Sequence, residues 1–598
     1  MSDQVLEMGA LPLEEGYLFR VWAPNADSVS VVGSFNDWNE NRNQMERGEG
    51  GIWSAPVKEA ETGDEYLYRI VNGENIMDRI DPYARRVSNS AGRTIVPRFD
   101  FKWKEKDFKS APLNRMVIYE MHLGSFAVEP GGKPGSLQNA IKKLPHLKEL
   151  GINAVEIMPL MEFPGGFSWG YNPSQIFALE SDYGDPADFS QFVKAAHEKG
   201  IAVILDVVYN HLGPGDLDLW QFDGWEEKGM GGIYFYNDWR SGTPWGDTRP
   251  DYGRGEVRKY LCDNAIMWLR DYHVDGLRFD ATSFIRNVRG RGDDQGSDLP
   301  EGWSLMQWIN SEIKKFRPEA FTIAEDLGNN PSVTKDVREG GCGFDSQWDL
   351  NFVHTLRGVL KAGGDSLRDI DKIRDIIIRR YYLDSFERII YTESHDEVAN
   401  GKARMPEEVD PGNAANLYAK KISTLGAALV LTSPGIPMIF QGQEFLEDDW
   451  FHDRDPVDWS RKKKFSGIFR LYCDLVSLRL NRDGKTSGLT GHETEVFHVN
   501  NESKFLAYHR WDRGGPEDST VVAVNMSGSE FRNYRIGLPA DGLWKVRFNS
   551  DAKDYDDEFS GLDCPDVTAD RNSKDGQPYG GVVNVAPYSA VILSQDRG

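Results

Sequence analysis

The chain has 598 residues, with 69 Lys+Arg against 94 Asp+Glu for a formal net charge of −25. That balance repels phosphate backbones and anionic membranes, so nucleic acid and membrane surfaces are excluded as expected partners. An aromatic content of 12% excludes intrinsic disorder, and the length implies several domains, or fewer if one is a large α/β barrel.

The four cysteines (Cys262, Cys342, Cys473, Cys564) lie far apart with no CxxC pair, which argues against a disulfide framework and a structural zinc site. The start, MSDQVLEMGALPLEEG, has neither the basic nor the apolar region of a signal peptide. No apolar run approaches the roughly 18 residues of a membrane helix. The expectation is a cytoplasmic protein.

Residues 1–105 read as a β-sandwich. Tyr17–Trp22 and Val29–Gly33 are short strand-like runs punctuated by Asn, Asp, Gly and Pro, and Tyr66–Val71 runs into the hairpin signal Asn72-Gly73. Trp22 and Trp38 are candidates for a sugar platform, with core packing the stronger expectation.

From about Met116 the pattern becomes strand, loop, helix, repeated. Strands are expected at Met116–Glu120, Ile152–Ile157, Ile201–Asp206, Val274–Phe279, Phe321–Ala324, Gly343–Trp348, Arg388–Tyr391 and Ile436–Phe440. Helices are expected at Ser136–Leu150, Ala187–Lys199 and Val257–Tyr272, the first closing at Gly151. Apolar strands alternating with amphipathic helices over roughly 370 residues predict an α/β fold of the (β/α)8 TIM-barrel type, here spanning residues 106–485. A long insertion, 212–253, interrupts it; insertions of that length are usually functional. Its Trp220, Trp225, Tyr234, Tyr236, Trp239 and Trp245 suit either sugar stacking or a packed loop core. Residues 486–598 return to short strands (Glu495–His498, Phe505–Tyr508, Thr520–Val524, Val591–Leu593) and read as a second β-sandwich.

Polar residues at the C-terminal ends of barrel strands carry the chemistry, because that rim is where parallel α/β folds bind ligands. Asp206 and His211 follow the third strand, Arg278 and Asp280 end the fourth, Glu325 ends the fifth, and His395 and Asp396 follow the seventh. Any one of them is explained by a helix cap or a loop hydrogen bond; jointly they place three carboxylates around one mouth. Retaining glycoside chemistry needs a nucleophile and an acid/base about 5–5.5 Å apart. Asp280 is the candidate nucleophile, with Arg278 two residues earlier on the same strand face to keep it ionised. Glu325 is the candidate acid/base, requiring burial and neighbouring negative charge to hold its proton. Asp396 would oppose positive charge on the transition state, and His211 and His395 are candidate donors to sugar hydroxyls.

The runs Asp206-Val-Val-Tyr-Asn-His211, Gly276-Leu-Arg-Phe-Asp280, Ala324-Glu325 and Ser394-His-Asp396 resemble the four sequence regions of the α-amylase family, glycoside hydrolase family 13. Trp169-Gly-Tyr-Asn-Pro173 is similar to the family segment whose tyrosine stacks on the donor sugar, and Phe19–Pro24 with Val31–Asn39 resemble the starch-binding-like sandwich of branching and debranching members. The resemblance covers nearly the whole chain. It implies Asp280 as nucleophile, Glu325 as acid/base and Asp396 as stabiliser, with Tyr171, His211, Arg278 and His395 forming a donor-sugar subsite that Asp206 supports through Arg278. Asn210 falls where many amylases bind calcium, but branching relatives work without one, so no metal or cofactor is expected.

Ser394-His-Asp-Glu-Val398 with Gly401-Lys402 is similar to the fourth region of glycogen branching enzymes, whereas Gly343–Trp348 is similar to trehalohydrolases. The expected activity is cleavage of an α-1,4-glucan and transfer to a 6-hydroxyl. Hydrolysis of α-glucan or maltooligosyl-trehalose is the alternative, and a non-catalytic sugar-binding protein is disfavoured because all three carboxylates are present. The expected partner is an α-glucan polysaccharide or oligosaccharide.

Overall fold

A computed structural model describes residues 8–98, 101–103, 108–129, 131–514 and 518–596. The expected boundary between residues 105 and 106, and the first seven residues of the N-terminal stretch, lie outside the described residues. The chain divides into two compact units, Met1–Lys109 with His122–Lys143 and Glu156–Phe344, and Ser110–Met121 with Leu144–Val155 and Asp345–Gly598.

Eight strands form one closed barrel. They are β1 (Ile118–Met121), β2 (Ala154–Ile157), β3 (Ala202–Val207), β4 (Gly276–Phe279), β5 (Phe321–Ala324), β6 (Ser346–Trp348), β7 (Arg388–Ile390) and β8 (Ile436–Phe440). The order is β2-β3-β4-β5-β6-β7-β8-β1. Every residue in them is buried, which explains why they read as continuous apolar runs rather than alternating ones. β5 and β8 have the expected bounds, and the other six strands differ from expectation by one to three residues at one or both ends.

The helices carry their own signals. In Pro186–His197 Asp185 caps the N-terminus, accepting from the Ala187 and Asp188 amides at 2.9 and 3.0 Å, with Pro186 at the first helical position. Leu137–Leu150 stops at Gly151, whose φ of +95° takes the chain into the left-handed region.

In the first unit the N-terminal β-sandwich has one four-stranded sheet built on Tyr17–Trp22 paired with Ile52–Val57, and a second built on Ser28–Gly33, Glu65–Asn72 and Asn75–Arg79. The Asn72-Gly73 hairpin forms, with Gly73 at φ +60°. Its core buries Phe19 edge-on to Tyr66 at 4.8 Å, and the Tyr66 and Tyr68 hydroxyls donate to buried Asp81 at 2.6 and 3.1 Å. Trp22 is core, whereas Trp38 is half-buried beneath the Arg93 guanidinium.

In the second unit, the C-terminal sandwich packs a six-stranded sheet against the pair Phe531–Leu538 and Tyr579–Val585, around Phe505, Trp544, Val583 and Leu593. All four cysteines are free thiols, and among the described residues no helix is long and apolar enough to cross a membrane.

Candidate active site

Parallel pairing sets Asp206 of β3 directly beside Arg278 of β4. The buried guanidinium then gathers carboxylates from three consecutive strands: Nη1 meets Asp206 Oδ2 at 2.6 Å and Asp280 Oδ1 at 3.0 Å, and Nη2 meets Glu325 Oε2 at 2.9 Å. Burial opposes the charge on Arg278, but Asp206, Glu325, Tyr171 and Asp280 outweigh it and hold its pKa well above the usual arginine value. The cluster is therefore one fixed cation among three acids.

Local backbone geometry holds it in register. The Asp280 amide donates to Val207 O at 3.0 Å and the Glu325 amide to Phe279 O at 3.0 Å, so each carboxylate leaves its strand one residue past the ladder. Ala281 then turns with φ +40°, a left-handed conformation costly for a residue with a Cβ. That turn aims its amide at Glu325 Oε2 (2.9 Å), while the Thr282 amide and hydroxyl both donate to Glu325 O (2.8 and 2.9 Å). Asp280 and Glu325 are thus tied to each other through the backbone of β4 and β5.

Tyr171 lies on the loop of a hairpin, Met161–Glu162 against Gln175–Leu179, that sequence patterning does not reveal. Its hydroxyl donates to Asp206 Oδ2 at 2.6 Å and Arg278 lies against its ring. Buried carboxylates pin the hairpin's base: Glu162 accepts from the Ser181 amide (2.8 Å), and Glu180 from those of Phe163 and Asp182 (3.2 and 3.1 Å). Burial pushes both pKa values up; Glu180's negative charge adds to the rise at Glu162.

Asn210 is tied to the candidate nucleophile. Its Nδ2 donates to Asp280 Oδ2 at 2.6 Å and to Asp280 O at 2.9 Å, and its Oδ1 faces His211 Nδ1. Among the described residues no group of three or more His, Cys, Asp or Glu side chains could hold a metal ion.

His211 places its Nδ1 on Asn210 Oδ1. Burial, with Arg249 nearby, pushes the His211 pKa down to about 3, so the ring is neutral. Trp245 stacks on the ring at 4.5 Å.

The long insertion divides its aromatics. Tyr234 and Tyr236 are core, the former against Trp22, Phe222 and Tyr260, while Trp239 and Trp245 remain 63% and 36% exposed. Its aspartates have a separate task. Asp216 accepts from Ser90 Oγ (2.8 Å), Asp218 from the Ile80 amide (2.7 Å) and Asp223 from the Asn25 amide (2.9 Å), so the insertion clamps the N-terminal sandwich.

In the second unit, His395 sits past the end of β7 with Nδ1 on Glu120 Oε1 at 2.5 Å and its amide on Glu120 Oε2 at 3.1 Å. Its Nε2 lies 3.5 Å from Asp396 Oδ2, and the Asp396 side chain is 45% exposed. Glu120 was not among the expected site residues, although the same rim rule points to it, since it stands near the end of β1 beside Phe440 of β8. Glu325 is buried and shares the Arg278 guanidinium with Asp206 and Asp280.

The sequence matches the family model of carbohydrate-binding module 48 (isoamylase N-terminal domain) over residues 7–84. It matches the α-amylase catalytic domain over 83–229 and 246–472, and the α-amylase C-terminal all-β domain over 497–596. It is 31% identical over 624 residues to a 1,4-α-glucan branching enzyme of Pseudoalteromonas atlantica, covering 96% of this chain and 81% of the relative. It is 31% identical over 617 residues to one of Salinibacter ruber, covering 98% and 96%. Among solved structures, type I pullulanase of Bacillus subtilis complexed with maltose aligns with a TM-score of 0.78 at 22% identity, over 99% of this chain and 85% of that one. A putative α-amylase from Salmonella typhimurium aligns with a TM-score of 0.73 at 21% identity, over 98% and 100%. These two share the fold. With a matching catalytic model over most of its length and relatives aligned over 96–98% of it, the chain belongs to the α-amylase family, glycoside hydrolase family 13, and is an enzyme of the glycosyltransferase and glycosidase type.

Proposed function

We propose that the protein is a 1,4-α-glucan branching enzyme that retains anomeric configuration through a covalent glycosyl-enzyme intermediate. The observation that carries the mechanism is the single guanidinium of Arg278 shared by Asp206, Asp280 and Glu325; relatives named as branching enzymes over nearly the whole chain carry the choice of reaction.

Asp280 attacks C1 of the donor glucose while Glu325 gives its proton to the departing 4-oxygen, releasing the reducing-end chain and leaving an ester on Asp280. Glu325, now a carboxylate, takes the proton from an incoming 6-hydroxyl, whose oxygen displaces Asp280 and forms the α-1,6 bond. Two inversions give net retention. Arg278 and Asn210 hold both oxygens of Asp280 in the ionised, attack-ready form. To act as acid, Glu325 exchanges its contact with Arg278 for one with the glycosidic oxygen. Asp396, more exposed than the other two carboxylates, is the group that meets positive charge developing at the anomeric centre. Tyr171 supplies an aromatic face, and His395, oriented by Glu120, a hydroxyl contact.

Domain limits of 1–105, 106–485 and 486–598 fit this division of labour. Incubation with amylose, counting α-1,6 linkages against new reducing ends, tests the reading. Branches formed with few new reducing ends support it, and reducing ends without branches assign a hydrolase instead.

A further inference from the structure

The stretch that carries Asp396 continues into Glu397 and, five residues on, Lys402. In the second unit it leaves β7 and runs through residues 391–404 without a helix or strand, with Asn400 at φ +54° and Gly401 at φ +90°. The Asp396 side chain is 45% exposed, so its aim is set by the backbone beneath it. An irregular segment has no ladder to fix it, and a charged group on one keeps its place only where neighbouring side chains lock the chain.

Two buried carboxylates do that locking. Glu393, at the base, accepts from the Met405 amide at 2.7 Å and meets Arg404 Nη1 at 3.0 Å, joining the two ends of the segment. Glu397, next to Asp396, closes the turn by donating its amide to Ser394 O at 3.1 Å. Its Oε1 meets Lys402 Nζ at 2.8 Å and His354 Nε2 at 2.9 Å, and Arg357 Nε lies 3.7 Å from Oε2. His354 and Arg357 stand three residues apart on one face of the helix Leu350–Leu360. From that face Arg357 also donates to Thr392 O at 2.8 Å and Ala403 O at 2.9 Å, one on either side of Asp396. The helix thus grips the segment before, at and after the turn. Burial opposes the charge on Glu397, but His354 and Lys402 outweigh it and hold its pKa at about 2.

A buried carboxylate is costly even when paired, and an apolar side chain would fill the same space more cheaply. What a lysine, a histidine and an arginine around one carboxylate add is direction, because each fixes the group from a different side. We propose, resting on the reading of Asp396 as the group that meets positive charge at the anomeric centre, that Glu397 is its positioning residue: the ionic clip to Lys402, His354 and Arg357 holds the turn that aims Asp396 at the donor sugar. Glu397 touches no substrate and acts only through its neighbour.

A double-mutant cycle on the full chain, read as kcat and KM on amylose, tests the assignment. In the parent background Glu397→Gln lowers kcat by at least ~10-fold with KM changed less than ~2-fold. In the Asp396→Asn background the same change moves kcat by less than ~2-fold, because there is no longer a carboxylate to aim. Lys402→Met, at a side chain 42% exposed, repeats the pattern with a loss of ~3-fold in the parent only; if Glu397→Gln does not fold, this second cycle decides. An equal loss in both backgrounds would make the clip a structural brace, and an unchanged kcat in the parent background would deny it any part in the reaction; either overturns the proposal. Ordinary activity of Asp396→Asn alone would instead remove the reading of Asp396, and the proposal with it.

Discussion

Arg278 and Arg510 are both fully buried, yet they are opposite devices. Arg278 faces Asp206, Asp280 and Glu325, and its charge is reinforced. Arg510, in the second unit, faces carbonyl oxygens: Thr432 O and Gly491 O at 2.7 Å and Leu489 O at 3.3 Å. Arg479 does the same with Asn114 O and Gly435 O, each at 2.8 Å. Burial pulls both of these arginines down to about 9, Arg479 adding to the effect on Arg510. A guanidinium among carbonyls is a clasp whose five donors matter more than its charge; among carboxylates it sets a field. Burial alone does not separate a structural arginine from one in a reaction centre, but its partners do.

The sharpest way to break this contrast is at the carboxylates. On the proposed mechanism Asp280→Asn lowers kcat/KM on amylose by at least ~10⁴-fold, with a thermal midpoint near that of the parent; ordinary activity would remove Asp280 as nucleophile. Glu325→Gln lowers turnover of amylose by about 10²–10⁴-fold, and far less for a donor such as α-glucosyl fluoride, whose leaving group needs no proton. Equal loss on both substrates would deny Glu325 its acid role. Asp396→Asn lowers kcat by about 10²–10³-fold with little change in KM; a change confined to KM would make it a binding group instead.

Arg510→Met sharpens the other side. It orphans three buried carbonyls, a cost of about 3 kcal/mol in unfolding free energy, while activity per folded molecule is retained. Loss of activity without loss of stability would erase the distinction.

The smallest effect concerns the hairpin that carries Tyr171. Glu162 and Glu180 have pKa values raised by burial, so the native state holds protons there that the unfolded chain has lost. Their contribution to stability is present at acid pH and declines as pH climbs above the ordinary glutamate value of about 4.3. Glu162→Gln therefore stabilises the protein at pH ~8 relative to the parent and loses that advantage near pH ~4. A pH-independent difference in urea midpoint would contradict the shift.

Much of this was legible in the sequence because both barrel strands and rim residues announce themselves locally. Phe321–Ala324 and Ile436–Phe440 match the apolar runs at both ends, and the polar residues near or beyond the strand ends included Asp206 and Arg278 within β3 and β4 and Asp280, Glu325, His395 and Asp396 past theirs. What escaped was relational. Glu120 ends an apolar run as plainly as Glu325 does, but nothing local shows that it closes on His395 from a strand far away in the chain. Likewise the contacts of Asn210 with both Asp280 and His211 follow from packing that no spacing encodes. Phe531–Leu538 went unseen because its Arg-Asn-Tyr-Arg stretch is half-exposed and the strand pairs with Tyr579–Val585, a run broken by Gly580 and Gly581.

The central claim is that Asp280 becomes covalently attached to the donor sugar. Trapping with 5-fluoro-α-glucosyl fluoride, followed by peptic digestion and mass spectrometry, measures it directly. The account predicts a single fluoroglucosyl adduct on the peptide containing Asp280, lost in Asp280→Asn. An adduct on Glu325 or Asp396, or an inverted product with no adduct, would contradict it.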